Sequence, residues 1–403
     1  MRRTGILMLL LCLLLCACSA AGEPAAEFTK DTAVPETTLR DDYELLWMEL
    51  EQSYPYLPYL EEKGVDVPGI RERYARELET VSGTEKFADL LARMFRELGN
   101  FAHLNLLSQD LFQTYHGLFV SSDTFADLPE TAAFRETLTD PRLSPMYKAP
   151  EVEDGERSGV QITTGKEPSF SWYPREKALV IRILSFDQRL VERDRTVVRD
   201  ALDQHPEAEH IIFDITGNGG GSDWYWMENL VAPFGGAWDW SFRNYLHSSD
   251  TVEHFYGATE TLPTAQLPDA PVWAESLGLD RYFESRVTLP EEPPAEDQAV
   301  GTSARRWLLV DGGVYSSADK FACFCRSTGW ATLVGTRTAG DGMGATPVLI
   351  LLPKSGLLVR FSVMAGENPD GSINAAVGTA PDILCIRGAL PLNRCLEEIR
   401  SGA

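Results

Sequence analysis

Residues Leu308–Gly344 read LLVDGGVYSSADKFACFCRSTGWATLVGTRTAGDGMG, a pattern of strand, tight turn, helix, second strand and glycine-rich loop. Leu308–Val310 is a short apolar run, and Asp311-Gly312-Gly313 signals a turn or a close backbone approach. From Ser316 the pattern becomes helical, with Phe321, Phe324 and Cys325 on one face. Ala331–Gly335 then reads as a buried strand, closed by Gly340, Gly342 and Gly344. Catalytic serines are found at strand-to-helix junctions because amides at a helix start can stabilise an oxyanion. On the serines alone, helix capping by Ser316 and Ser317 is the stronger reading.

The same alternation extends upstream. Ala178–Leu184 (ALVIRIL) is a strand, Leu190–Gln204 a helix carrying Val191, Val197, Val198, Ala201 and Leu202, and His210–Ile215 a second buried strand. Alternation of this kind predicts an α/β layer structure with crossover connections. Residues 235–300, rich in Trp, Pro and acidic side chains, read as a surface excursion near the site. Residues 109–177 are punctuated by Pro129, Pro141, Pro145, Pro150, Pro168 and Pro174 and read as an irregular connector of loops with scattered short elements.

Residues 39–108 read as a helical subdomain. Leu45, Leu46, Met48 and Leu50 with Trp47 make the first helix, and Ile70–Val81 the second. Thr84–Leu98 makes the third, with Phe87, Leu90, Leu91, Met94, Phe95 and Leu98 on one face. It stops at Gly99-Asn100, just before Phe101-Ala102-His103-Leu104. The expected core is then 178–395.

The N-terminus reads as a targeting segment. Arg2 and Arg3 precede the apolar run Ile6–Leu15, and Leu15-Cys16-Ala17-Cys18 has the form of a lipobox. The expectation is a bacterial lipoprotein signal over 1–17, lipidation at Cys18 and a flexible tether over 18–38, placing the domain outside the cell membrane. The apolar run is short for a membrane span.

The formal net charge is −24, and removing the two positive charges of Arg2 and Arg3 makes it −26. Such a balance argues against nucleic acid as a partner. Beyond the signal, Cys323, Cys325, Cys385 and Cys395 read as structural, although Cys385 and Cys395 could close a small loop. Metal-ligand spacing is absent, and no cofactor is expected. The glycine cluster Gly217-Asn218-Gly219-Gly220-Gly221 lacks both the phosphate-loop Gly-Lys-Ser/Thr and dinucleotide spacing.

Three pieces carry chemistry together: that glycine cluster after a buried strand, Ser316, and a histidine to act as base. HIIFDITGNGGG, VYSSADKFACFCRSTGWATLVGTRTAGDGMG and VGTAPDI, in that order, resemble the tail-specific or C-terminal-processing serine peptidases. The match is to the tricorn-like branch, without a legible PDZ module between His103 and Ala178. The resemblance implies a crotonase-like, Clp-protease-like α/β core with an N-terminal helical subdomain. It also implies a peptide or protein substrate cut through an acyl-enzyme. It places Ser316 on the nucleophile and His103 on the general base. Ser317 and either Gly219 or Gly220 fall on the oxyanion hole, and Asp319 on a structural acid.

Two positions depart from the family. The lysine base of the processing branch falls on Asp341, and an ordinary aspartate is too weak a base for that role. Lys354, the next lysine, reads as part of a turn. The glutamate that orients the histidine in tricorn-like enzymes is absent before Gly378-Thr379-Ala380-Pro381-Asp382, leaving Asp341, Glu367, Asp370 and Asn374 to orient the ring. The alternative is a degenerate member that binds peptides or cell-wall fragments without cleavage. A crotonase-type thioester enzyme is disfavoured, because a lipobox separates the domain from cytoplasmic coenzyme A.

Overall fold

The computed structural model describes residues 36–122, 129–149, 167–290, 300, 303–386 and 388–402. The expected signal, Cys18 and most of the tether lie outside the described residues.

A six-stranded sheet carries the Leu308–Gly344 stretch. Its strands run in the order Ile383–Leu384, Thr332–Gly335, Arg305–Val310, His210–Asp214, Ala178–Arg182 and Ser169–Tyr173. All neighbours are parallel except the last pair. Parallel strands are covered on both faces, which is why these segments read as continuous apolar runs. Alternate residues feed opposite cores, as the two-residue period of a strand requires. Leu179, Ile181, Phe213, Leu308 and Val310 pack with Phe321 and Phe324 of the Ser317–Thr328 helix. Val180, Ile212, Trp307 and Leu309 pack with Cys395 and Leu396 of the C-terminal helix Pro391–Ser401. This is the crotonase-like, Clp-protease-like core.

The N-terminal helices Glu36–Ser53, Leu57–Glu62, Val67–Leu78 and Thr84–Glu97 form a second core. It is closed by a three-stranded antiparallel sheet, Asn105–Leu106, Leu357–Phe361 and Val348–Leu352. In the first helix Leu39, Tyr43, Leu46, Trp47 and Leu50 are buried, whereas Met48 is exposed, because the helical period carries it round to solvent. Asp66 caps Val67–Leu78 by accepting from Gly69 N at 3.0 Å. Asp42 accepts from Lys354 N at 3.0 Å and Ser355 N at 2.7 Å, pinning the first helix to a hairpin turn.

The structure defines the short elements of the connector and corrects one expectation, the surface excursion over 235–300. The connector contains helices Gln109–His116 and Pro129–Leu138 and the strand Ser169–Tyr173. Pro129 is the first residue of its helix, a position that proline tolerates because it lacks only an unused N–H. Ser108 caps the other through Leu111 N. Residues 235–300 are not a surface excursion. They supply the nine-residue strands Trp238–Leu246 and Arg281–Leu289, which pair antiparallel between Met364–Gly366 and Leu262–Pro263. Trp240 and Phe242 enter the sheet core while Tyr245, Leu246, Tyr282 and Phe283 enter the helical core, so this sheet joins the two.

Cys323, Cys325, Cys385 and Cys395 are buried free thiols, so the loop from 385 to 395 is not closed by a disulfide. Among the described residues, no helix is long and apolar enough to cross a membrane.

Candidate active site

His103 and Ser316 are both delivered by backbone that ordinary residues avoid. After the Thr84–Glu97 helix ends, Asn100, Ala102 and His103 take φ of 47°, 48° and 63°. Left-handed backbone at three non-glycine residues is costly and persists only where neighbours hold it. Here Tyr54 Oη donates to Phe101 O at 2.7 Å, and Ser362 N to Ala102 O at 3.0 Å. Ser316, at the start of the Ser317–Thr328 helix, has φ 59° and ψ −128°. Its amide donates to Gly340 O at 2.9 Å.

These constraints bring Ser316 Oγ to 3.4 Å from His103 Nε2. Asp341 Oδ2 lies 3.3 Å from the same nitrogen and accepts from Tyr315 Oη at 2.6 Å. On the other side of the ring, Arg360 donates to His103 Nδ1. The pairing of Asn105 with Arg360 across the antiparallel strands sets the guanidinium beside the turn bearing His103. Ser316, His103, Asp341 and Arg360 are all buried.

Burial dominates the electrostatics. It holds the His103 imidazole well below its usual range, and the Arg360 charge lowers it further. It pushes the Asp341 carboxyl up to about 7, against the Tyr315 hydrogen bond and the Arg360 charge. The weak base expected at position 341 therefore becomes one matched to neutral pH, because the loop carrying it is desolvated.

Glu367, Asp370 and Asn374 do not orient the ring. Glu367 accepts from Tyr245 Oη at 2.9 Å, and Asp370 accepts from Ser372. Asn374 uses its whole side chain elsewhere. Nδ2 donates to Asp319 Oδ2 at 2.6 Å and to Asn368 Oδ1 at 2.9 Å, and Oδ1 accepts from Gly342 N and Met343 N. Asp319 is the buried hub of this network, also accepting from Thr338 Oγ1 and Thr379 N. The network grips the loop next to Asp341. Gly342 is needed there, since a Cβ would lie 2.4 Å from both Ser316 O and Lys320 N.

Of the expected oxyanion amides, Gly220 N donates to Asn218 Oδ1 at 2.8 Å and is occupied. Ser317 N and Gly219 N are left without acceptors among the described residues. The cleft at Ser316 is lined by Gly221, Asp223, Ser317, Lys320 and Asp341. Lys320 Nζ and Asp223 Oδ2 form a buried ion pair at 3.0 Å.

Arg360, Asp223, Lys320 and Tyr315 went unnoticed in the sequence. A signal existed for two of them: Arg360 interrupts the apolar strand LLVRF, and Lys320 the apolar face of SADKFACFC. A charged residue at a buried period position implies a buried partner. Among the described residues, no cluster of three His, Cys, Asp or Glu side chains is placed to hold a metal ion.

A family model described as Peptidase family S41 matches residues 177–385, more than half of the chain. A second, the Tricorn protease C1 domain, matches residues 35–96. No curated protein sequence matches. Among solved structures, a protein of Parabacteroides merdae assigned as a peptidase superposes with a TM-score of 0.54 at 17% identity, covering 90% of this chain and 96% of that one. Mature CPAF complexed with lactacystin superposes with a TM-score of 0.53 at 15% identity, covering 91% and 97%. At these identities the likeness is one of fold.

Proposed function

The chain belongs to peptidase family S41, and on that premise we propose that it is a serine peptidase that hydrolyses peptide bonds through an acyl-enzyme on Ser316. The observation that carries this reading is the 3.4 Å approach of Ser316 Oγ to His103 Nε2 inside a buried site. Ser316 attacks the carbonyl carbon, and its proton leaves through the His103–Asp341 pair. The amides of Ser317 and Gly219 receive the oxyanion, where a helix start and a glycine turn present N–H groups without acceptors. Peptides or proteins are the substrate class.

The lipobox supports a further part of the reading: lipidation at Cys18 tethers the enzyme to the outer side of the bacterial cell membrane. Cys18→Ala should then move the protein from the membrane fraction to the soluble one. Unchanged membrane association would defeat the tether.

A non-cleaving peptide-binding protein is the second reading. Its support is the missing glutamate before Gly378-Thr379-Ala380-Pro381-Asp382 and Arg360, not an acid, on Nδ1 of His103. The deciding experiment is hydrolysis of labelled casein together with labelling by a fluorophosphonate. Wild type should do both and Ser316→Ala neither. A wild type that binds peptide but does neither is the binding protein.

A further inference from the structure

We propose that Asp341 is the general base and general acid of this site, and that His103 serves it as a neutral hydrogen-bond donor whose tautomer Arg360 fixes. The inference rests on the serine-peptidase reading above.

A guanidinium has no acceptor, so the contact between Arg360 and His103 Nδ1 has one sense: Arg360 donates and Nδ1 accepts. The neutral ring then carries its proton on Nε2. To take the serine proton, His103 would need a free lone pair on Nε2 and a hydrogen on Nδ1. That hydrogen would point into an Arg360 N–H, donor against donor, in a buried site. Burial and the Arg360 charge disfavour the imidazolium in the same sense. His103 is therefore placed to donate, and its Nε2–H faces two oxygens, Asp341 Oδ2 at 3.3 Å and Ser316 Oγ at 3.4 Å.

Asp341 is stitched to the nucleophile by backbone. Ser316 N donates to Gly340 O, Tyr315 and Gly340 form a bridge, and Asp341 and Ser316 line one cleft. The titratable and charged groups around the carboxyl are Tyr315, His103, Arg360, Asp319, Tyr54 and Tyr56. Their net effect with burial leaves it titrating at about 7.

The step balances without a further reactant. As the Ser316 Oγ–carbon bond forms, the carbonyl π pair moves to oxygen and the hydroxyl proton passes to Asp341 Oδ2 across one water molecule, a relay within a general base's reach. The oxygen pair then returns, the carbon–nitrogen bond breaks, and Asp341 gives its proton to the leaving amine. A water molecule repeats the sequence to release the acyl group.

The test compares kcat/KM for fluorescein-labelled casein across pH 5–9 in wild type, Ser316→Ala, Asp341→Asn and His103→Gln. Glutamine offers an N–H to Asp341 and a carbonyl to Arg360, but it cannot accept a proton. His103→Gln should lose about tenfold or less, one hydrogen bond's worth, and keep a rising limb near pH 7. Asp341→Asn should lose about 100- to 10,000-fold, the usual contribution of a general base, together with that limb. In wild type carrying 15N-histidine, His103 should stay neutral with the proton on Nε2 throughout the limb, a readout that does not depend on any variant folding. The inference is overturned if His103→Gln is as inactive as Ser316→Ala while Asp341→Asn keeps the limb. It is overturned equally if the His103 ring protonates with the midpoint of the limb. Casein hydrolysis that is absent in wild type, or that survives Ser316→Ala, would instead defeat the serine-peptidase reading.

Discussion

Ser316 Oγ and His103 Nε2 meet at 3.4 Å from two different hydrophobic cores. Ala102 and Leu104 anchor the histidine in the helical core, and Val314 and Ala318 anchor the serine in the sheet core. The site exists only while the two cores are docked.

The turn bearing His103 should therefore be a weak point for activity. Tyr54→Phe removes the hydroxyl that donates to Phe101 O. Global stability should fall by about 1 kcal/mol, the value of one hydrogen bond. The turn it holds is strained, so kcat should fall more than KM changes. Equal stability with unchanged kcat would show that the left-handed turn is held by other contacts.

Stability against pH should reveal two opposing groups. Folded Asp341 titrates at about 7 against an ordinary 3.8, so the native state holds the extra proton between those values. Its contribution is full below about pH 4 and is lost as pH rises to 7, up to about 4 kcal/mol. His103 is held neutral in the fold, so its contribution is present above 6.5 and is lost as pH falls. In wild type the two slopes partly cancel. Urea denaturation should find Asp341→Asn more stable at pH 7 than at pH 5, and His103→Gln the reverse. Parallel pH curves for wild type and both variants would contradict these burial effects.

Placing a glutamate at position 374 should harm this chain. Asn374 Nδ2 lies 2.6 Å from Asp319 Oδ2, and both residues are buried. Asn374→Glu replaces a donor with a second carboxylate and should cost about 3 kcal/mol or more, as an uncompensated buried charge does. Activity should fall too, because Asn374 Oδ1 holds Gly342 N next to Asp341. A variant with raised activity and an unchanged melting temperature would show that the network tolerates two acids.

The Asp223–Lys320 pair offers a test of the cleft lining. Lys320→Met leaves Asp223 buried without its countercharge and should destabilise the protein by about 3–5 kcal/mol. Adding Asp223→Leu should recover much of that loss, since an apolar pair of similar volume need not be solvated. Chemical denaturation of the three proteins measures both steps. A double variant no better than the single one would mean that Asp223 is retained for its bond to Trp226 Nε1.

What the sequence determined by itself was local and periodic. The Thr84–Leu98 helix was legible to within one residue of the observed Thr84–Glu97, because six apolar side chains recur at helical spacing before a Gly-Asn stop. The strands at His210–Asp214 and Thr332–Gly335 were legible as apolar runs closed by glycine. Ser316, His103 and the glycine cluster were singled out by the resemblance of their motif order to a peptidase family; local chemistry alone favoured a helix cap at Ser316 and chose no histidine. The sheet built from 235–300 was not legible, because one half of each long strand packs in one core and the other half in the other, and no local window contains either core. Tertiary structure alone decided what surrounds His103. Asp341 and Arg360 flank His103 from segments distant in sequence. Their charges act strongly there because folding removes the water that would screen them, and no residue pattern records that removal.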